Sequence, residues 1–387
     1  MNRKRLLITE IFPPRHGGSG RWFWELYSRL PKNEYLIAAG QTKGDEEFDK
    51  TRDLDILRLP LSSTAWGLKS ATGLKFYWEN FLAIRKLIKK NKITQIHCGR
   101  CLPEGVLGLM INKIYRIPYL CYIHGEDIEA ASSSREQSLM VRSVLKNASS
   151  LIANSKNTQK ILINHWKVEA DKTVVLNPGM DANRFIPAEF NIEARKKLGW
   201  DNRPVILTVG RLQQRKGQDM LIQALPEIKR HFPNILYAII GDGEEKDQLL
   251  SLVEKLSLQQ EVQFFSEISD SEMIQCYQQC DLFVLPNRSI GKDIEGFGMV
   301  LVEAQSCGKA VLAGDSGGTA ETMLIGETGY IVDCTSPAPL AKKIVQMLNQ
   351  EEELVTMGKR AREHVVKTLD WNMHATKAKS LFDQING

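Results

Sequence analysis

Short apolar runs, rich in β-branched and large aliphatic residues, recur along the chain, and longer stretches of helical periodicity separate them. RLLITEIF, EYLIAAG, ITQIHC, PYLCYIHG and SLIANS follow one another in the first half. VILTVGR, ILYAIIGDG, VQFFSE, LFVLPN and KAVLAGD follow in the second. Strands that are apolar on both faces and alternate with helices predict parallel sheets covered on each side. The alternation occurs twice, so the expected fold class is α/β, with two doubly wound, Rossmann-like domains facing across a cleft. The junction is read at NPGMDANRFIPAEF, residues 177–190, which carries two prolines and a glycine. The expected domains are residues 1–187 and 188–370, with a terminal helix at about 371–387 packing back on the first. Ligands of open parallel sheets bind beyond the carboxyl ends of the strands, so the segments directly after strands matter most.

Composition narrows the class. A chain of 387 residues suggests two domains, and 43% hydrophobic with 25% charged residues is ordinary for a soluble globular protein. No apolar run approaches the ~20 residues a membrane span needs. The start, MNRKRLLITEIFPP, is basic, but Glu10 breaks its short apolar stretch, so it reads as a first strand rather than a signal peptide. Seven scattered cysteines do not suggest a disulfide framework and fit a reducing cytoplasm. Cys98 and Cys101 form a CxxC beside His97, with Cys121 further on, but no second closely spaced ligand pair completes a zinc site.

Charge adds an asymmetry. Residues 1–187 hold 29 Lys+Arg against 18 Asp+Glu, so +11; the remainder holds 22 against 28, so −6, and the sum is the net +5. A basic first half beside an acidic second half implies different partners for each. No nucleic-acid-binding signature accompanies the basic half, so nucleic acid is not expected as a partner.

Four stretches after strands carry candidate chemistry. In PPRHGGSGRW, Gly17, Gly18 and Gly20 let backbone amides approach a ligand, and a helix beginning near Ser19 would aim its positive end at an anion. A plain tight turn explains the same glycines. In VILTVGRLQQRKGQD, Arg211 and Lys216 supply a planar donor fork and a compact charge suited to a diphosphate, or else form a solvated basic loop. In EGFGMVLVE, Glu295 and Gly296 precede a turn from which Phe297, Gly298, Met299 and Val300 can present amides at a helix start. Glu303, about one turn into that helix, can accept both hydrogens of a vicinal diol such as ribose. In YIHGED, His124 ends another strand, either held structurally by backbone or facing the same cleft.

Together with NPGMDANRFIP, IIGDGEEKDQL, GGTAE and GETGYIV, these stretches resemble the retaining glycosyltransferases of family 4, which have the two-domain GT-B fold. The resemblance covers essentially the whole chain and is strongest from about residue 203 to 333; Lys309 stands where that family commonly has proline. It implies transfer of a hexose or related sugar from a UDP- or GDP-sugar to a hydroxyl of a glycan or a polyprenyl-diphosphate-linked oligosaccharide, with retention, in polysaccharide, glycolipid or envelope assembly. By similarity, Glu303 would bind the donor ribose. Arg211 and Lys216, helped by the Gly17–Gly18 loop, would hold the diphosphate. Glu295, the Phe297–Gly298 amides and His124 would surround the sugar, and the base would lie near Gly241 and Ile268. No metal and no cofactor are expected, since the DxD-like triplet Asp53-Leu54-Asp55 lies far from the donor motifs. A phosphorylase-type enzyme of the same fold and a non-catalytic sugar-nucleotide-binding protein are the competing readings.

Residues 62–92 mix Trp66, Phe76, Tyr77, Trp78 and Phe81 with Arg85, Lys86, Lys89, Lys90 and Lys92. Two readings stand: a crossover helix with aromatics inward and lysines outward, or a basic amphipathic helix on an anionic membrane. The expected location is cytoplasmic, with peripheral contact on the inner face of the membrane under the second reading.

Overall fold

The computed structural model describes residues 4–15, 17–63, 66–266 and 268–385. The chain divides into two compact units: one of residues up to Pro178 together with those from Trp371 onward, the other Gly179–Asp370.

The first unit is built on seven parallel strands, β1 (Lys4–Thr9), β2 (Tyr35–Gly40), β3 (Ile56–Leu59), β4 (Ile93–Cys98), β5 (Tyr119–Ile123), β6 (Ser150–Ala153) and β7 (Thr173–Val175). Their spatial order is β3-β2-β1-β4-β5-β6-β7, so the winding reverses between β1 and β4. Leu6, Leu7, Ile8, Ile96, Leu120 and Ile123 are all fully buried, as expected of strands covered on both faces. Helix Trp371–Gln384 completes this unit. Phe382 stacks 6.3 Å from Tyr27, and the buried Arg5 guanidinium ties Asp383 to Glu34 and Gln95.

The second unit holds six parallel strands, β8 (Val205–Val209), β9 (Leu236–Ile240), β10 (Val262–Phe265), β11 (Leu282–Leu285), β12 (Val311–Gly314) and β13 (Gly329–Val332). Their order is β10-β9-β8-β11-β12-β13, reversing between β8 and β11. One apolar cluster, including Ile206, Leu225, Tyr237 and Leu312, covers one face of the sheet, and another, including Leu207, Phe283, Leu301 and Trp200, covers the other.

Ten of these strands correspond to the apolar runs read in the sequence. The other three, β3, β7 and β13, are edge strands of their sheets. An edge strand is covered less: β3 has no fully buried residue and β13 only one. Its apolar signal is correspondingly weak.

The basic, aromatic stretch forms helix Ala71–Asn91, started by Ser70, whose hydroxyl accepts from the Gly73 amide. Phe76, Tyr77, Phe81, Ile84 and Ile88 point into the core, while Trp78 is 58% exposed and Leu74 53%. The crossover-helix reading therefore describes three of the aromatics but not Trp78. Thr64 and Ala65 of this stretch lie outside the described residues. Among the described residues no helix is long and apolar enough to cross a membrane.

Candidate functional site

In the second unit, the loops after β8 and β11 flank the point where the strand order reverses, the usual ligand position in an open parallel sheet. After β8 the chain makes a short 3-10 turn, Gln214–Lys216, and Gly217 follows at φ +75°. A Cβ on Gly217 would sit 1.8 Å from the Pro286 carbonyl oxygen, so only glycine lets this turn press against the end of β11. The Arg288 amide donates to the Arg215 carbonyl oxygen at 2.8 Å and fastens the two loops together. Arg288 itself makes a two-pronged ion pair with Asp219, both contacts at 2.8 Å.

Lys216 and Glu295, widely separated in sequence, meet here. Lys216 Nζ donates to Glu295 Oε2 at 2.5 Å, and Arg215 Nη1 donates to the same oxygen at 2.8 Å. Arg215 Nε also pairs with Asp293 at 3.1 Å. Burial alone would raise the Glu295 carboxyl; the Lys216 and Arg215 cations outweigh it and hold the group below its ordinary value. The main chain of Glu295 is fixed too. Ser316 Oγ accepts from its amide, and its carbonyl accepts from the Gly318 amide at 2.9 Å. At Gly317, φ +57°, a Cβ would stand 1.9 Å from that same carbonyl.

Past Glu295 and Gly296, Gly298 takes a left-handed conformation (φ 98°) and opens helix Met299–Ser306. No side chain caps this helix, and its first turn has no acidic residue, so the amides of its start are suited to an anion. Phe297 is buried against Met180, Val302 and Val365, and Met299 packs on the same cluster with Val300 alongside on the sheet core. Glu303 is 3% exposed and accepts from the Tyr277 hydroxyl at 2.8 Å. A carboxylate has about four lone-pair positions, so this bond fixes its orientation without using up its acceptor capacity.

Arg211 is exposed after β8 and does not join the Glu295 cluster. Gly241, after β9, lets the neighbouring loop close in, since a Cβ there would stand 2.0 Å from the Gly210 oxygen. Ile268 is partly buried against the sheet core. The sequence reading singled out neither Arg215, Asp293, Tyr277 nor Arg288. Two adjacent cations before a glycine, RKG, were the available signal for Arg215; Tyr277 lies on a separate helix, with no local sign of its contact.

In the first unit the corresponding reversal lies between β1 and β4. Gly17 precedes helix Gly18–Tyr27, whose start has no side-chain cap. A Cβ on Gly20 would meet Ile11 Cγ2 at 2.9 Å, so the glycine-rich segment is packed as well as turned. Ser19 Oγ accepts from Arg100 at 3.3 Å, which joins the helix start to the loop after β4. His124 follows β5 and is 7% exposed, with Trp22 and Phe23 edge-on to its ring at 5.5 and 6.0 Å. Its Nε2 lies 2.8 Å from the Gly99 carbonyl oxygen and must donate to it, which leaves Nδ1 as an acceptor in the neutral ring. Burial lowers its pKa and favours that neutral form, with Asp127 opposing and Arg100 assisting. The backbone-held reading of His124 therefore describes its Nε2, which the Gly99 carbonyl oxygen holds.

Buried Glu104, in the turn Cys101–Gly105 after β4, accepts from the Glu10 amide at 2.8 Å through Oε1. Its Oε2 has no hydrogen-bond partner among the described residues. Cys98, Cys101 and Cys121 are buried free thiols.

Comparison with known proteins places both units. The model described as Glycosyltransferase Family 4 matches residues 16–184, and that described as Glycosyl transferases group 1 matches residues 190–364. The chain is similar to a GDP-mannose-dependent alpha-(1-6)-phosphatidylinositol monomannoside mannosyltransferase of Mycolicibacterium smegmatis, 28% identical over 380 residues and 97% of each chain. Among solved structures it is similar to Anabaena HepE in complex with UDP, with TM-score 0.82 and 21% identity over 98% of this chain and 99% of that one. It is also similar to WaaG, a glycosyltransferase involved in lipopolysaccharide biosynthesis, with TM-score 0.74 and 19% identity over 97% and 99%. With a family match on each unit and GT-B architecture throughout, the chain belongs to glycosyltransferase family 4.

Proposed function

We propose that the protein transfers a hexose from a nucleoside-diphosphate sugar to a hydroxyl of a lipid-borne or glycan acceptor, with retention at the anomeric carbon and without a metal. The observation that carries this reading is the second unit's cluster at the strand reversal: an uncapped helix start at Gly298–Met299, the oriented Glu303 carboxylate, and the paired Arg215, Lys216 and Glu295. Glu303 accepts from the ribose hydroxyls. Arg211, Lys216 and the amides of the helix start hold the diphosphate, and Gly241 and Ile268 border the base. In the first unit, the helix start at Gly17–Gly18 offers amides to an anion, and His124 Nδ1 accepts from a sugar hydroxyl.

The chemical demand is the departure of a nucleoside diphosphate. Fixed cations and helix-end amides aimed at developing negative charge lower that barrier with little reorganisation. The bond from the anomeric carbon to the phosphate oxygen breaks, and the acceptor oxygen bonds on the same face. The acceptor's proton passes to a diphosphate oxygen. Glu295 is assigned to sugar binding rather than to nucleophilic attack, because a carboxylate held by two cations is a weak base and a weak nucleophile.

Relatives named as GDP-mannose-dependent mannosyltransferases make GDP-mannose the first donor to test. Calorimetric titration with UDP, GDP, ADP and TDP, each with and without EDTA, tests the donor site. Tight binding of one nucleotide that EDTA leaves unchanged supports the reading; binding that requires metal overturns the metal-free part, and no binding overturns the donor site.

A lipid-borne acceptor is supported by the outer face of helix Ala71–Asn91. Leu74, Trp78, Arg85 and Lys89 recur there at helical spacing and are exposed, with Lys86 and Lys90 beside them. Binding to anionic liposomes that weakens at raised salt and in Trp78→Ala supports this part. Absence of binding at any salt refutes it.

A further inference from the structure

Glu295 Oε2 receives two cations that are neighbours in sequence, yet the two are held differently. Arg215 is anchored on three sides: its Nη1 to Glu295 at 2.8 Å, its Nε to Asp293 at 3.1 Å, and its carbonyl oxygen to the Arg288 amide at 2.8 Å. For Lys216, the side-chain contact seen among the described residues is the 2.5 Å bond to Glu295. An ammonium has three hydrogens, so Lys216 can turn to another anion. The main chain of Glu295 is held at its amide and carbonyl by Ser316 and Gly318, and its carboxylate stays on the Arg215 fork when Lys216 turns away.

On the donor-site reading above, Lys216 must serve the diphosphate. If it were the sole counter-ion of Glu295, its departure would leave a carboxylate that is 9% exposed at the side chain without a cation. Removing one partner from a buried ion pair is strongly unfavourable. We infer that Arg215 is the positioning residue that keeps Glu295 paired while Lys216 is handed from Glu295 to the diphosphate of the donor. This inference rests on the nucleoside-diphosphate reading and adds to it a residue outside the motif positions Arg211 and Lys216. The requirement is for a cation that does not leave: the Arg215 fork, clipped from behind by Asp293, meets it, whereas a second mobile lysine would itself be drawn to the diphosphate.

The test measures the gain in affinity from the second phosphate, that is, the ratio of the Kd values of GMP and GDP (or UMP and UDP). It is measured by calorimetry on the full-length wild type, Arg215→Gln, Glu295→Gln and the double variant. In Arg215→Gln, Lys216 is retained by Glu295 and the gain falls tenfold or more, while the monophosphate binds as in the wild type. In the Glu295→Gln background there is no carboxylate to keep paired, so adding Arg215→Gln changes the gain by less than about threefold, a non-additive cycle. Arg215→Lys, which keeps the charge but loses the fork that Asp293 clips, recovers only part of the wild-type gain. Three results overturn the inference: an undiminished gain in Arg215→Gln, an equal loss for mono- and diphosphate, or the same tenfold loss in both backgrounds, which marks direct attraction between Arg215 and the diphosphate. If the wild type shows no gain from the second phosphate with any base, the donor-site reading fails first. If Arg215→Gln does not fold, the double variant, from which the unpaired charge has been removed, decides the matter by comparison with Glu295→Gln alone.

Discussion

Replacing Glu104 by glutamine should stabilise the first unit, and more strongly as pH rises. Glu104 is fully buried after β4, with Oε1 on the Glu10 amide and Oε2 unpartnered among the described residues. Burial raises its carboxyl from 4.5 to about 7, against the lowering effect of Arg100 and the Glu10 amide. Between those two values the folded chain keeps a proton that the unfolded chain has released. Stability attached to this group is therefore present below about pH 4.5 and declines as pH rises to about 7. The separation, 7 − 4.5, is about 2.5 units, and at ~1.36 kcal/mol per unit the loss by pH 8 is about 3 kcal/mol. Glutamine keeps an acceptor for the Glu10 amide and cannot ionise. Urea denaturation of the wild type and Glu104→Gln, followed through the transition that unfolds the first unit, should show the variant gaining about 2.5 kcal/mol on the wild type between pH 5 and pH 8. A stability difference that is the same at both pH values would refute the reasoning, because it would mean that Glu104 does not titrate differently on folding.

Glu303→Ala should weaken nucleotide binding by roughly 1.5–3 kcal/mol, the range for hydrogen bonds to a charged group. Glu295→Ala should instead lower turnover with nucleotide affinity retained, and equal loss of affinity in both variants would contradict the assignment. Gly217→Ala places a side chain in the left-handed region and a Cβ 1.8 Å from the Pro286 oxygen. It should cost at least ~1 kcal/mol of stability and also reduce nucleotide affinity by displacing Lys216; unchanged calorimetry and thermal melting would show that the loop yields freely. His97 and His124 are both lowered by burial, His97 well below the ordinary value. The unfolded chain takes up these protons first, so in the Glu104→Gln background, where the opposing carboxyl no longer titrates, stability should fall as pH drops below about 6.5, and a flat profile there between pH 7 and 5 would show these rings to be solvated in the folded protein.

The sequence made the core of each sheet legible because central strands are apolar on both faces. Of the four edge strands, β3, β7 and β13 were not, since one side of each meets solvent and its pattern blends into the loops, whereas β10 was legible because VQFF carries two adjacent phenylalanines. At the site, EGFGMVLVE announced the helix start, because Gly298 must adopt a positive φ and the four residues after it are apolar. What could not be read was the pairing of distant side chains. The contacts of Glu295 with Lys216 and Arg215, and of Glu303 with Tyr277, depend on loops from different strands meeting at the strand reversal. For His124, the Gly99 carbonyl that selects its tautomer lies on another loop, so sequence alone left its role divided.

The central claim is metal-free transfer with retention. The measurement that tests it most directly is donor hydrolysis without acceptor, followed by proton NMR in EDTA with GDP-mannose and UDP-glucose. Both donors are α-linked, so retention predicts that the α-anomer of the free sugar appears first and mutarotates afterwards. First appearance of the β-anomer, or hydrolysis only when divalent metal is restored, would contradict the account.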